Sequence, residues 1–508
     1  MPRICYYYSC FLVYLRHYLL YFTMEFQSTK SAWLTQLKKE NKDKSDIQTL
    51  VEAVLQEDLK IPIYFSKEDG ILPISIACYQ PSKDEFANSS QNTWAFMACI
   101  EVTTDVVATN KKALSELEEG ADGVMLTICN IDIYQPGAWA KLLQGIELPY
   151  CHLHLQASED NVACLFLVAE EIKKIDKNST LHIACYNDVF TQSLCDGSFP
   201  HSLSESMAIL TDTMLFMHTI HPTIKTLTIN STLYHYSGAT AVQELGISIA
   251  ILVDYIRQLK GKVSVDTIAN QLALQVAIGN DFFVEIGKIR AYRLLIDMVL
   301  QKYEPKDTPY TIPFFAETSL NTYTSNDKEN NIIRCTIQVL AATIAGVETV
   351  SISPYDVFSS TKDSSVDANE ISRNLSQVVY HESGIHKQLD VAEGTYYIDH
   401  ITHELVKDAY TYFQKIEAVG GYLEAIKTGW LQDAVEDSQN QKINDYISNK
   451  NTIVGVTKYQ AGSMSVQAIK EHIGQKEEEE KLIHRESLIK RKLVPNYLYN
   501  AVEKMIVH

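Results

Sequence analysis

Short runs of β-branched and aromatic residues recur along the middle of the chain, separated by stretches with helical spacing of apolar positions. This alternation is typical of βα units around a parallel sheet. The predicted strands are TWAFMACIEV (93–102), GVMLTIC (123–129), PYCHLHLQA (149–157), STLHIACYN (179–187), IKTLTINSTL (224–233), QLALQVAIG (271–279), IPFFAETS (312–319) and VETVSISPYD (347–356). Eight such units predict an α/β fold of the (β/α)8 TIM-barrel type. A doubly wound open sheet is the competing fold.

The clearest helical pattern runs from Ala239 to Lys260. Its apolar residues alternate at spacings of three and four, which places one stripe on the face expected to pack against the sheet. The stripe consists of Val242, Leu245, Ile249, Leu252, Ile256 and Leu259. A second helical stretch, from Leu405 to Ile426, follows the barrel and is expected to wrap its outside.

Charge and cysteine usage narrow the function classes. The chain has 508 residues and a formal net charge of -19, so neither nucleic acid nor an anionic membrane surface is an expected partner. Its ten cysteines include no Cys-x-x-Cys pair, which indicates buried thiols in a reducing compartment such as the cytoplasm.

The first 23 residues are apolar and aromatic, but Arg16 and His17 interrupt the run before it reaches the ~20 residues that a spanning helix needs. An amphipathic segment begins at Met24. We therefore expect residues 1–23 to be a non-native extension from a start codon assigned too early, and not a membrane anchor.

Two motifs in the second half of the barrel region indicate a particular protein family. The segment GATAVQELGISIAILVDYIR (238–257) is followed by NDFFVEIGKIRAYRLL (280–295). Both closely resemble helices of the methylmalonyl-CoA mutase family. The similarity extends through NNIIRCTIQVLAATIAGVETVSISPYD (330–356), DANEISRNLSQVVYHES (367–383) and the helical stretch at 389–426, and covers most of the chain from about 30 to 460.

The resemblance implies an eight-stranded barrel through whose axis the CoA chain of the substrate threads in the active subunit. It also implies adenosylcobalamin, carried by a separate domain with an Asp-x-His-x-x-Gly motif in which the histidine binds cobalt. No such motif occurs in these 508 residues. The stretch after residue 460 is also expected to be too short for that domain.

The substrate-facing positions differ from those of the active subunits that the chain resembles. The tyrosine of the first strand falls at about Cys99, and a Tyr-His pair of the fifth strand falls at Thr232 and Leu233. A thiol cannot place a hydroxyl where a phenol would, and leucine forms no hydrogen bond to a thioester carbonyl. Tyr234 and His235 also spell Tyr-His, two residues further along. A shift of two keeps the same strand face, and we interpret His235 as structural.

These departures predict the small, non-catalytic subunit of a heterodimeric methylmalonyl-CoA mutase, an isomerase of propionate metabolism. Adenosylcobalamin would be carried by the large catalytic subunit, and this chain would have no catalytic, cofactor-binding or metal-binding residues of its own. Weak binding of a CoA ester stays open. The predicted segments are the extension at 1–23, a partner-wrapping segment at 24–90, the barrel at 91–380, a helical wrap at 381–474 and a charged tail at 475–508.

Two other functions stay open. An active mutase barrel could take its cobalamin domain from another chain. A metal-dependent hydrolase could use the His-x-His of the third strand, since two histidines on one strand face can chelate zinc. Its candidate ligands are Cys151, His152, His154, His182, His235 and Asp356.

Other polar clusters have structural interpretations. Glu285 and Lys288 form a helix-face pair, and Arg290 and Arg293 are expected to tie their helix to its neighbours. Asn280 and Asp281 are expected to cap that helix, and Arg334 and Gln338 are expected to pack.

Overall fold

The computed structural model describes residues 30–40, 52–54, 60–66, 69–75, 92–128, 131–135, 137–157, 161–197, 201–325, 327–358, 368–459 and Leu493. The predicted extension at 1–23 and the charged tail, Leu493 excepted, lie outside these residues. The chain divides into two compact units, 1–72 and 73–508.

The first unit contains a helix, α1 (Lys30–Glu40), and a short antiparallel pair of strands, β1 (Glu52–Val54) and β2 (Lys60–Pro62). The Trp33 ring stacks on the Tyr64 ring with their centroids 5.0 Å apart. This stacking fixes the helix against the segment that follows β2.

Eight parallel strands of the second unit form the barrel, in the order β6-β5-β4-β3-β10-β9-β8-β7. They are β3 (Ala95–Val102), β4 (Gly123–Ile128), β5 (His152–Ala157), β6 (His182–Cys185), β7 (Leu227–Asn230), β8 (Leu272–Ile278), β9 (Phe314–Thr318) and β10 (Thr349–Ser351). A parallel bridge between Ala184 and Lys225 joins the two outermost strands and closes the ring. The predicted TIM barrel is confirmed.

Helices follow the strands as a βα pattern requires. They are α2 (Val106–Glu118), α3 (Ala138–Leu142), α4 (Asn161–Ile172), α5 (Val189–Asp196), α6 (Leu203–Ile220), α7 (Thr232–Tyr236), α8 (Ala241–Leu259), α9 (Val265–Gln271), α10 (Phe282–Tyr303), α11 (Asn330–Ile344), α12 (Ala368–His381), α13 (Tyr396–Val419), α14 (Tyr422–Thr428) and α15 (Trp430–Ile447). Within the described part of the chain, no helix is long and apolar enough to cross a membrane.

The predicted helix from Ala239 to Lys260 is confirmed as α8. It begins with a capping box formed by Thr240 and Gln243. The stretch from Leu405 to Ile426 is two helices instead of one. Gly420 and Gly421 interrupt it with φ values of 120° and 93°, a region that residues with a Cβ rarely adopt.

Helix α13 packs directly over α8 and α10, which buries nearly the whole circumference of α8. Two glycines permit the close approach. A Cβ at Gly246 would lie 3.0 Å from the backbone oxygen of Ala409, and a Cβ at Gly287 would lie 2.6 Å from a methyl group of Ile401. The barrel therefore has a second helical layer on this side.

Candidate functional site at the carboxyl end of the barrel

The alternation of side chains along each strand separates an outer core from the barrel interior. Outward residues of β3 to β6, such as Leu126, Leu153 and Ile183, pack with the surrounding helices in one apolar cluster. Ala184, Ala273 and Phe315 form a separate buried cluster on the inner faces. Strand pairing then assigns the other inward positions, which include Cys99 and Glu101 on β3, Gln275 on β8, Glu317 on β9 and Ser351 on β10.

Three rings, on β5, on β9 and on the residue that follows β6, occupy the middle of the interior. The His154 ring centroid lies 4.2 Å from that of Phe315 and 5.6 Å from that of Tyr186. The Tyr186 hydroxyl also lies 3.1 Å from His154 Nδ1. We call these three residues the aromatic plug. Because packed rings leave no room for a chain along the axis at this level, they obstruct the passage that a CoA substrate would take.

Beyond the plug, toward the carboxyl ends of the strands, the interior is open. Cys99 retains exposed surface although it faces inward, and the next inward residue of the strand, Glu101, is also exposed. Protein nevertheless surrounds the Cys99 thiol closely, since desolvation and the nearby Glu317 carboxylate raise its pKa to about 12. Surface that is accessible yet enclosed in this way indicates a pocket in the barrel mouth.

A half-buried carboxyl group lies in this pocket. The Tyr236 hydroxyl donates to Glu317 Oε1 at 2.5 Å, and the Gln275 amide donates to Glu317 Oε2 at 2.8 Å. Burial raises the pKa of Glu317 despite these two bonds, which act in the opposite direction. The carbonyl oxygen of the same Gln275 amide is buried and has no hydrogen-bond partner.

His235 lies in the wall and does not line the pocket as a free base. Its Nδ1 is 2.8 Å from Glu244 Oε1, and its Nε2 is 2.6 Å from Ser319 Oγ. The expectation that it shares a strand face with Leu233 is wrong, because β7 ends at Asn230. The Asn230 side chain accepts hydrogen bonds from the backbone and hydroxyl of Thr232, and this turn starts helix α7.

Glu244 also binds a buried lysine. Lys288 Nζ lies 3.0 Å from Glu244 Oε2 and 2.8 Å from Glu285 Oε2. Desolvation alone would lower the pKa of Lys288, but the two carboxylates outweigh it and raise that pKa. For Glu244 the balance also favours the charged form, since Lys288 and His235 offset desolvation and bring its pKa to about 2.

Ser319, His235 and Glu244 have the connectivity of a nucleophile, a base and an orienting carboxylate. Burial excludes that function, because Ser319 has no exposed surface for a substrate carbonyl to reach. The serine instead caps the turn after β9 by accepting a hydrogen bond from the Asn321 backbone. This constellation therefore stabilises the wall.

The candidate ligands considered for a hydrolase are not arranged as a metal site, although three of the histidines lie near one another. His152 stacks on His182 at 4.4 Å between ring centroids, and His154 belongs to the aromatic plug. Cys151 lies in the outer core, on the opposite side of the strand. Among the residues that the structure describes, no group of three His, Cys, Asp or Glu side chains is arranged to hold a metal ion.

The arginines of α10 tie it to neighbouring segments, as the sequence suggested. Arg290 binds both carboxylate oxygens of Asp390 at 2.8 and 2.9 Å, and Arg293 lies 3.0 Å from Glu348. Asp281 occupies the first cap position of α10, but its side chain makes no capping hydrogen bond, so the expected cap is wrong in that respect.

Two further polar residues predicted to pack do so. Arg334 donates to Asn331 and to the Val454 backbone, at 2.7 and 2.8 Å. Gln338 donates to the Asn280 side chain at 2.9 Å, which is the contact that Asn280 makes in place of a cap.

A family model for methylmalonyl-CoA mutase matches residues 92–501. The chain belongs to the methylmalonyl-CoA mutase family. It is 25% identical over 440 residues to the methylmalonyl-CoA mutase small subunit of Porphyromonas gingivalis, covering 85% of this chain and 69% of that one. It is 26% identical over 360 residues to the small subunit of Streptomyces virginiae, covering 70% and 57%.

A third relative is the methylmalonyl-CoA mutase of Rhizobium meliloti, with 28% identity over 297 residues, 58% of this chain and 41% of that protein. The chain thus spans between 41% and 69% of the lengths of these three mutase relatives. The family resemblance inferred from the two helix motifs is confirmed.

Mutases of this family imply adenosylcobalamin, and neither His235 nor His154 fits it as a cobalt ligand. The imidazole of His235 has both nitrogens bound within the wall, and that of His154 is packed inside the plug. The pocket residues Gln275 and Glu317 were not singled out from the sequence. The available signal was a polar residue at an inward position of each of two strands, where a barrel core is usually apolar.

Proposed function

We propose that this chain is the small, non-catalytic subunit of a heterodimeric methylmalonyl-CoA mutase. In the complex, a large subunit would carry adenosylcobalamin and interconvert methylmalonyl-CoA and succinyl-CoA. This chain would support that subunit through a shared interface, to which the segment at 24–90 would contribute.

The barrel interior is the observation that carries the proposal. By the family resemblance, Cys99 stands at about the position of the substrate-binding tyrosine, and Leu233 is buried with 4% of its surface exposed. His235 could reach a thioester only by giving up Glu244 or Ser319. The plug of His154, Tyr186 and Phe315 further obstructs the axis. A radical isomerase needs donors positioned on the thioester and a water-free substrate channel, and these features argue against both in this interior.

The names of relatives support the choice of subunit. The relatives from Porphyromonas gingivalis and Streptomyces virginiae are both called methylmalonyl-CoA mutase small subunits, a term that implies a partner. A barrel that kept its fold while losing its substrate groups would retain association as its role. An interface of this kind would bury well over ~2,000 Å² in an obligate complex.

Co-expression with a large mutase subunit tests the proposal. We expect a stable one-to-one complex by size-exclusion chromatography with light scattering, and mutase turnover that depends on the large subunit's site. A large-subunit active-site variant should abolish turnover, whereas Ser319→Ala in this chain, a substitution inside the wall, should leave turnover of the assembled complex unchanged.

Two outcomes would overturn the proposal. The first is turnover by this chain without a large subunit, whether alone or mixed with a free cobalamin-binding protein. The second is failure of the two folded chains to associate at any concentration tested. Circular dichroism of the separate chains distinguishes the second outcome from misfolding.

A further inference from the structure

The pocket in the barrel mouth is lined by acidic groups, whereas a site for a carboxylate substrate needs positively charged groups. Two carboxyl groups, Glu101 and Glu317, lie on inward positions of β3 and β9. Among the described inward positions of the eight strands, none is lysine or arginine. These described strand positions therefore offer no positive charge to an anionic acyl group or a phosphate.

Hydrogen-bond acceptors dominate the pocket. The Gln275 side chain is 3% exposed and donates its amide to Glu317, while its carbonyl oxygen has no partner. Amide and carboxyl oxygens therefore lie side by side with acceptor capacity to spare. The bond to Glu317 orients the amide, because exchanging its oxygen and nitrogen would set the amide oxygen against the ionised Glu317 carboxylate.

A thiol and a hydroxyl complete the lining. Cys99 is exposed to the pocket, and its thiol is hydrogen-bonded to Ser351 and lies in the field of Glu317. The opening faces the carboxyl ends of the strands, which is where TIM barrels place their ligand sites. The plug of His154, Tyr186 and Phe315 forms the floor, so the pocket is short.

We propose that the barrel mouth binds a small protonated primary amine, held by the Glu317 carboxylate, with the unpartnered carbonyl oxygen of the adjacent Gln275 adding negative potential. An ammonium group has three donors and no acceptor, which complements this lining. Its charge offsets that of a carboxylate held away from bulk water. The inference goes beyond the proposed subunit role and does not depend on it, since the site lies within one chain.

Binding of an ammonium group beside Glu317 would change the protonation of that carboxyl group. Glu317 is faced by Tyr236 and Gln275, by the thiol of Cys99, and by the rings of Tyr186 and His235, and its pKa is raised by burial. A bound ammonium group favours the ionised carboxyl, so the pKa of Glu317 falls when the ligand enters. Any Glu317 that is protonated before binding then loses its proton, and affinity rises with pH through that pKa.

Calorimetric titration of the full chain at constant ionic strength tests the inference. The probes are methylammonium, ethylammonium and n-butylammonium chlorides, with ethanol, n-butanol and sodium propionate as matched neutral and anionic controls. We expect saturable binding of at least one amine, none of the controls, and a binding heat that changes with the ionisation enthalpy of the buffer.

Variants locate the site. Glu317→Gln is expected to weaken amine binding at least ~tenfold, because a charge-assisted contact is lost. Gln275→Met should also weaken it, and Glu147→Gln, an exposed surface control, should not. Saturation-transfer NMR on the unaltered chain gives a second readout if a variant fails to fold.

Binding of propionate in preference to every amine, or equal binding of amine and alcohol, would overturn the inference. So would amine binding that survives both Glu317→Gln and Gln275→Met in folded protein. These results are independent of whether the chain assembles with a large mutase subunit, so failure of one proposal is distinguishable from failure of the other.

Discussion

The Lys288 ammonium lies 3.0 Å from a carboxylate oxygen of Glu244, with 0% and 2% of the two side chains exposed. Glu244 simultaneously receives His235, and Lys288 also donates to the Ala277 backbone at 3.0 Å. One buried network therefore joins α7, α8 and α10 to β8. Each charged group in it has a partner, and removing one partner leaves another charge in a dry interior.

Lys288→Met is expected to lower the free energy of unfolding by about 3–5 kcal/mol, because it leaves Glu244 and Glu285 buried without their cation. Urea unfolding followed by circular dichroism measures the change. Lys302→Met, at an exposed position of the same helix, is the matched control and should shift stability by less than ~0.5 kcal/mol. Equal effects of the two substitutions would contradict the assigned role of the network.

Gly287→Ala is expected to destabilise the chain by about 1–3 kcal/mol, because the added methyl group would lie 2.6 Å from Ile401 Cγ2 where α10 meets α13. Ile401→Ala removes the opposing methyl group. The double variant should therefore be more stable than the sum of the two single effects predicts, and a double-mutant cycle measures this coupling. Strict additivity would mean that the two residues do not meet.

Acid is expected to destabilise the barrel from about pH 6.5 downward. Burial and the neighbouring His182 lower the pKa of His154 to about 3, and the pKa of His152 is also well below its usual 6.5. Both stay neutral when folded, whereas the unfolded chain takes up protons below pH 6.5. Their contribution to stability is thus complete above that pH and is lost as the pH falls.

The expected slope between pH 6 and 5 is up to ~1.4 kcal/mol per pH unit for each such histidine. Urea unfolding at a series of pH values measures it. The His154→Gln variant should show a smaller slope than the unaltered chain. The slopes are compared independently of any difference in stability at neutral pH. Glu244 does not affect the slope in this range. Its pKa is lowered from 4.5 to about 2, so its contribution to stability is lost only as the pH falls below about 4.5.

Cys99 is expected to alkylate slowly at neutral pH despite its exposure. The reactive species is the thiolate, and a pKa of about 12 leaves almost none of it. Iodoacetamide labelling followed by mass spectrometry of the tryptic peptide gives the rate relative to free cysteine. Glu317→Gln removes a neighbouring negative charge and should accelerate labelling. A rate equal to that of free cysteine in the unaltered chain would contradict this assignment.

The sequence predicted all eight strands, because a fully buried parallel strand is a short β-branched run between helical stretches. It erred where local chemistry overrode periodicity. Asn230 folds back on Thr232 and ends β7, so residues assigned to the strand up to 233 start a helix. Likewise, apolar spacing continues across Gly420 although the backbone there cannot stay helical.

The candidate site was only half accessible from sequence. The prediction that Cys99 and Leu233 stand in place of substrate groups followed from the family resemblance and its motif spacing. The aromatic plug did not, because His154, Tyr186 and Phe315 come from three strands whose relative heights depend on the register of the closed barrel. The pocket depends on the same register, since it places Glu317 beside Gln275.

The strand pairings around the barrel differ in length. Strands β3 to β6 and strands β7 to β10 form two half-cylinders, and the seams between them are short: Ala184 with Lys225 on one side, and Thr349 with Ala95 and Val350 with Phe96 on the other. The His154 and Phe315 rings touch across this division, one from each half. The aromatic plug therefore also holds the two halves of the barrel together. Removing it would allow the halves to separate locally, and the amide hydrogens along the two seams would then exchange first.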